Sequence, residues 1–116
     1  MTAGAVVWFT GRPAAGKSTL AISAATKLRE RGLALALLDG DEVRSLLVPR
    51  PGYDEPERDA FYATLAGLAA LLANQGLVVL VAATAHRKSY RDRARRLAPR
   101  FVEVHVDVPL QECQGR

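Results

Sequence analysis

The sequence predicts an α/β fold, a doubly wound parallel sheet of about four strands flanked by helices, as one domain over residues 1–116. Three observations carry this expectation. Apolar runs recur along the chain, most of them with no polar alternation, which suits parallel strands covered on both faces. Segments with helical spacing separate those runs. A G-x-x-x-x-G-K-S loop, Gly11 to Ser18, stands between the first run and the first helix, the context that a phosphate-binding loop requires.

Taken in order, residues 6–9 read as a buried strand. Residues 16–31 read as a helix whose Leu20, Ala24 and Leu28 share one face, with Gly32 as its stop. Residues 33–38 form a second apolar run that ends at Asp39-Gly40-Asp41. A short helical turn over 42–47 and a loop rich in proline and glycine over 48–53 follow. Asp54 suits an N-cap with Glu57 three residues on, and Phe61, Leu65, Leu68 and Leu72 then recur as a core stripe up to Asn74-Gln75-Gly76. A third strand spans 77–81, an Arg-rich helix runs from about Lys88 to Leu97, and a fourth strand covers 101–108. Glu103, His105 and Asp107 alternate onto one face of that last strand.

Composition narrows the class further. Hydrophobic residues make up 49% and charged residues 24%, which argues against disorder. The single cysteine, Cys113, excludes an intramolecular disulfide, no Cys/His cluster has metal-ligand spacing, and a reducing cytoplasm is the expected setting. No apolar stretch is long enough to span a bilayer, and the first nine residues lack a basic leader, so no membrane partner is expected. The net charge of +4 makes polyanions a class of partner to weigh. Arg87, Lys88, Arg91, Arg93, Arg95, Arg96 and Arg100 supply much of it, but with only Tyr90 among them as an aromatic they read as a solvated helix face, not a nucleic-acid platform.

The loop residues explain themselves physically. Glycines let the backbone wrap around phosphate oxygens while successive N–H groups point inward, and the following helix N-terminus adds partial positive charge. Lys17 is expected to reach the β- and γ-phosphates of ATP, and the Ser18 hydroxyl to join the shell of Mg²⁺. Arg12, Pro13, Ala14 and Ala15 fill the permissive positions.

Ligands of such sheets bind beyond the carboxyl ends of the strands, where the phosphate loop, Asp39, Asp41 and Thr84 all fall. Asp39 and Asp41 are candidates for a second Mg²⁺ anchor and for orienting the attacking group, a reading that their position beside the P-loop strand favours over a mere N-cap role of Asp39 for the short helix after it. The third strand ends in Val81-Ala82-Ala83-Thr84 with no aspartate of the hydrolytic type, which favours transfer to a small hydroxyl compound. Arg44 and Arg58 are placed to neutralise an anionic acceptor.

These ordered blocks resemble adenylylsulfate kinases: Val7-Trp8-Phe9-Thr10-Gly11, then Ala15-Gly16-Lys17-Ser18-Thr19-Leu20-Ala21, then Leu38-Asp39-Gly40-Asp41 with Arg44. Phe101-Val102-Glu103-Val104, Val106-Asp107, Pro109-Leu110 and Cys113 resemble a later strand of that family. The resemblance implies a P-loop NTPase fold and transfer of the ATP γ-phosphate to the 3′-hydroxyl of adenosine 5′-phosphosulfate. It implies ATP contacts from Gly11 through Thr19, Lys17 on the transferring phosphate, Ser18 on the metal and Asp39 supporting it through water. Asp41 would orient the substrate hydroxyl, while Arg44 and Arg58 would hold the phosphosulfate group. A homodimer is an assembly left open.

The chain also departs from that pattern. Ala60, Phe61, Tyr62 and Ala63 stand where the family usually carries an asparagine and arginines, and Ala85, His86 and Arg87 stand where it carries Ser-Pro-Tyr. The family continues past the position of Arg116 into a lid, a fifth strand and a closing helix, so a fold truncated before the lid and last strand is expected. Two other readings therefore stay open: a P-loop kinase of another small hydroxyl metabolite or antibiotic, and a catalytically impaired ATP-binding module.

Overall fold

The computed structural model describes residues 4–12 and 16–106. Four strands, β1 (Ala5–Thr10), β2 (Leu35–Asp39), β3 (Val78–Ala82) and β4 (Phe101–His105), form one sheet in the order β2-β3-β1-β4. Every pairing is parallel. The helices are α1 (Lys17–Glu30), α2 (Gly40–Leu46), α3 (Glu55–Asn74) and α4 (Lys88–Leu97). Among the described residues no helix is long and apolar enough to cross a membrane.

The two-residue period of the strands sorts the core into two layers. Val6 and Trp8 of β1, with Val79 and Val81 of β3, join Phe61, Leu65, Ala69 and Ala73 of α3 and Tyr90 and Ala94 of α4. On the opposite face Phe9, Leu80 and Ala82 pack against Ala21 and Ala25 of α1, with Val7, Leu35 and Leu37 partly buried beside them. The chain steps from β1 outward to β2, then back through β3 to β4 on the far side. With right-handed crossovers, that reversal puts α1 on one face and α3 with α4 on the other.

Three expectations shift. Leu20 is 46% exposed, and the buried face of α1 is centred on Ala21 and Ala25, with Ala24 and Leu28 beside them. One residue is 100° of helix, and the two small alanines let α1 approach the sheet more closely than a leucine would. Strand β2 is an edge strand among the described residues and is half-buried along its length, not covered on both faces. The Arg-rich helix is only partly a solvated face: Arg91 and Arg95 pair with Glu103 on β4, Arg95 lies over the Phe101 ring, and Arg87 pairs with Glu55 at the start of α3.

Two caps follow the sequence closely. Asp54 accepts from the N–H of Glu57 at 3.0 Å, and Gly16 is the N-cap of α1, which has no acidic residue in its first turn. The observed β4 ends at His105, and Asp107, Val108 and the segment holding Cys113 lie outside the described residues.

Candidate active site

Parallel register brings the chemistry to one rim of the sheet. Phe9 and Asp39 both pair with Ala82, so the loop after β1, the start of α2 and the segment after β3 leave the sheet at the same height. Gly11 begins that loop at φ 147°, and a Cβ there would lie 2.5 Å from the carbonyl oxygen of Val106. Only glycine fits both demands. Gly40 plays a packing role: a Cβ would meet that of Ala83 at 3.1 Å, so α2 starts tight against the end of β3.

Asp39 joins α1 to α2. Its Oδ1 accepts from the backbone N–H groups of Asp41 (3.0 Å) and Glu42 (3.3 Å), and its Oδ2 accepts from the Ser18 hydroxyl at 2.7 Å. The cap and the contact with the phosphate loop are thus two halves of one carboxylate, and the N-cap expected of Asp39 is present. Lys17 curls back so that Nζ donates to the carbonyl of Arg12 at 2.9 Å. Burial lowers the Lys17 pKa from its ordinary value, against the opposing pull of the Asp41 and Asp39 charges.

A cavity of about 600 Å³ opens from these groups across the rim. Lys17, Ser18, Thr19, Asp39 and Asp41 line it together with Arg44, Tyr53, Arg58, Phe61, Tyr62, Thr84 and His86. Pro13, Ala14 and Ala15 lie outside the described residues. The unquenched N-terminus of α1, a lysine and two glycine turns form a cradle that suits a polyphosphate. Ser18 Oγ and the Asp39 carboxylate are hard oxygen donors that suit Mg²⁺ completed by phosphate and water oxygens. Among the described residues no cluster of three or more His, Cys, Asp or Glu offers an all-protein metal site.

Arg44 is 5% exposed and holds the 48–53 loop. Its Nη1 donates to the carbonyls of Gly52 (2.9 Å) and Pro51 (3.3 Å), and its guanidinium lies between the rings of Phe61 (4.2 Å) and Tyr53 (4.4 Å). Such burial needs these partners, because a desolvated guanidinium is costly without them. Arg58 is half-buried on the same wall, and no described residue bonds to its side chain. Lys17, Ser18, Asp39, Asp41, Arg44 and Arg58, the side chains that the sequence singles out, all line this one cavity. Sequence reasoning missed the aromatic clamp on Arg44, because Phe61 read as core and Tyr53 as loop; an aromatic on each side of the Asp54 cap was the available signal.

The family model for adenylylsulphate kinase matches residues 3–116. The adenylyl-sulfate kinase of Synechococcus sp. (strain JA-2-3B'a(2-13)) is 39% identical over 113 residues, covering 97% of this chain and 65% of its own length. The chain therefore spans just under two thirds of that curated relative. The APS kinase of Mycobacterium tuberculosis, solved in complex with AMPPNP and APS, is 36% identical with a TM-score of 0.90, covering all of this chain and 69% of the other. The hexameric APS kinase of Thiobacillus denitrificans is 33% identical with a TM-score of 0.81, covering 93% of this chain and 24% of the other. With the phosphate loop, the Asp39–Asp41 turn and the fold all in agreement with that match, the chain belongs to the adenylylsulphate kinase family.

Proposed function

We propose that this protein is an ATP-dependent phosphotransferase that moves the γ-phosphate of ATP to the 3′-hydroxyl of adenosine 5′-phosphosulfate. The observation that carries the proposal is the placement of Lys17 and Asp41 in one cavity, close enough for the Asp41 charge to act on the Lys17 amine. In this reading the one cavity holds both a cation for the transferring phosphate and a carboxylate for the attacking hydroxyl. Relatives that bear the kinase name support this acceptor over another hydroxyl metabolite.

In this reading Gly11 to Thr19 cradle the triphosphate, and Lys17 draws charge from the γ-phosphoryl oxygens. Asp41 accepts a hydrogen bond from the acceptor hydroxyl and takes its proton as the new O–P bond forms and the bond to the β,γ-bridging oxygen breaks, releasing ADP. Ser18 directly and Asp39 through water would hold Mg²⁺, which would supply charge neutralisation to the phosphates. Arg58 faces the acceptor's anionic group directly, whereas Arg44 shapes the pocket by holding the 48–53 loop. A cytoplasmic setting and self-association, two copies being the simplest case, complete the reading; the hexameric relative supports self-association.

The test is a coupled assay for ADP with Mg-ATP, with and without adenylylsulfate. ADP formation that depends on adenylylsulfate supports the proposal. Tight Mg-ATP binding with no turnover on it would favour the binding-module reading instead.

A further inference from the structure

The segment after β3 is held from three directions, and its tightest point is an alanine in an unusual conformation. Ala83 accepts from Trp8 Nε1 at 3.3 Å, and the Thr84 carbonyl accepts from Thr10 Oγ1 at 2.5 Å, so β1 fixes the first two residues. Ala85 then turns into the left-handed region at φ 43°, fully buried. Its N–H donates to the Tyr62 hydroxyl of α3 at 3.0 Å, and its carbonyl accepts from Arg91 Nη1 of α4 at 2.6 Å. A residue with a Cβ keeps such a backbone only when its surroundings over-determine it.

Both partners are themselves fixed. The Tyr62 ring stacks on Tyr90 at 4.4 Å between centroids, and Tyr90 donates to Asp59 Oδ1 at 2.7 Å. The guanidinium of Arg91 is set by Glu103, 3.1 Å from its Nε. The next residue, His86, lies edge-on to Tyr90 at 5.6 Å and lines the cavity with Thr84. Of this assembly Tyr62, Thr84 and His86 line the cavity.

We propose that Tyr62 and Arg91 are positioning residues for the acceptor: by locking Ala85 in its left-handed turn they set Thr84 and His86 as the acceptor wall of the cavity. Neither touches the reacting atoms. This role rests on the phosphotransferase reading only for its kinetic consequence, because the lock itself is a property of the fold. Tyr62→Phe keeps the stacked ring and removes the hydroxyl; Arg91→Lys keeps the charge beside Glu103 and removes the fork that reaches Ala85.

The experiment reads two quantities in the whole chain: KM for adenylylsulfate and for ATP, and the exchange rate of the Ala85 amide together with the His86 ring signals by NMR. Tyr62→Phe is expected to raise the acceptor KM about tenfold, the scale of a buried donor left without its partner. The KM for ATP stays at the parent value, Ala85 exchanges faster and the His86 signals shift. Arg91→Lys gives the same pattern and decides the matter if Tyr62→Phe does not fold. A merely weakened fold would move both KM values. An Ala85 amide and His86 signals unchanged in both variants overturn the proposal whether or not the parent is active. If the parent shows no turnover of adenylylsulfate, the phosphotransferase reading fails alone and the NMR arm still decides the lock.

Discussion

The Ser18 hydroxyl donates to Oδ2 of Asp39 at 2.7 Å, while Oδ1 of the same carboxylate caps α2 through the N–H groups of Asp41 and Glu42. One side chain therefore sets both the geometry of the Ser18 hydroxyl and the start of the helix that carries Asp41. The two jobs separate on substitution. Asp39→Asn keeps an equally good cap but offers only one oxygen, so thermal stability stays near the parent while turnover falls and the Mg²⁺ requirement rises. Asp39→Ala loses both, and costs about 1 kcal/mol of stability in addition. Thermal melts beside a Mg²⁺ titration of the rate distinguish the two variants.

Lys17 gives a pH signature. Burial lowers its pKa from 10.5 despite the neighbouring Asp41 and Asp39. In the ligand-free fold the charged amine is disfavoured, so the folded state releases that proton at lower pH than the unfolded chain does. Affinity for the ATP anion should weaken as pH rises through this lowered value, beginning below 10.5. Lys17→Arg, which stays charged, removes that decline over the same window. Calorimetric titrations of ATP into both proteins check it.

Arg44 and Phe61 should behave as one unit. Phe61 is buried under the guanidinium at 4.2 Å, so Phe61→Ala loses core packing and half of the clamp, at about 3–5 kcal/mol. Arg44→Lys keeps a charge but loses the planar stacking and the loop carbonyl bonds, at about 2 kcal/mol. The double variant should cost less than the sum, which denaturant melts of the four-member cycle measure.

Acid should loosen the contact between α4 and β4. Burial pushes the Glu103 carboxyl up, yet the hydrogen bond with His105 and the charge of Arg91 outweigh it and hold its pKa below the ordinary 4.5. A depressed carboxylate stabilises the fold above its unfolded pKa, and that contribution is lost as pH falls from 4.5 through the lower folded value. Glu103→Gln should flatten this part of the acid decline and lower neutral-pH stability by about 1 kcal/mol. Thermal melts at stepped pH values read both effects.

Much of this arrangement is visible in the residue order. The apolar runs mark every strand of the sheet, and the doubly wound alternation alone puts Gly11, Asp39, Asp41 and Thr84 on one rim. What escapes is long-range and angular. Leu20 and Ala21 are neighbours in sequence, and only the approach of α1 to the sheet decides which one turns inward. The Tyr62, Ala85 and Arg91 contacts join three elements, so no local pattern announces them. Arg44 reads from the sequence as a cation for an anionic acceptor, one turn after Asp41; its burial is not legible there, because it depends on a clamp that only the folded loop provides.

The most direct test of the central claim is transfer of labelled phosphate from the γ-position of ATP to adenylylsulfate in the presence of Mg²⁺. The account predicts one labelled product, phosphorylated at the 3′-hydroxyl, whose formation is lost in Lys17→Ala and strongly reduced in Asp41→Asn. Label that never reaches adenylylsulfate, or that reaches it equally well in both variants, would contradict it.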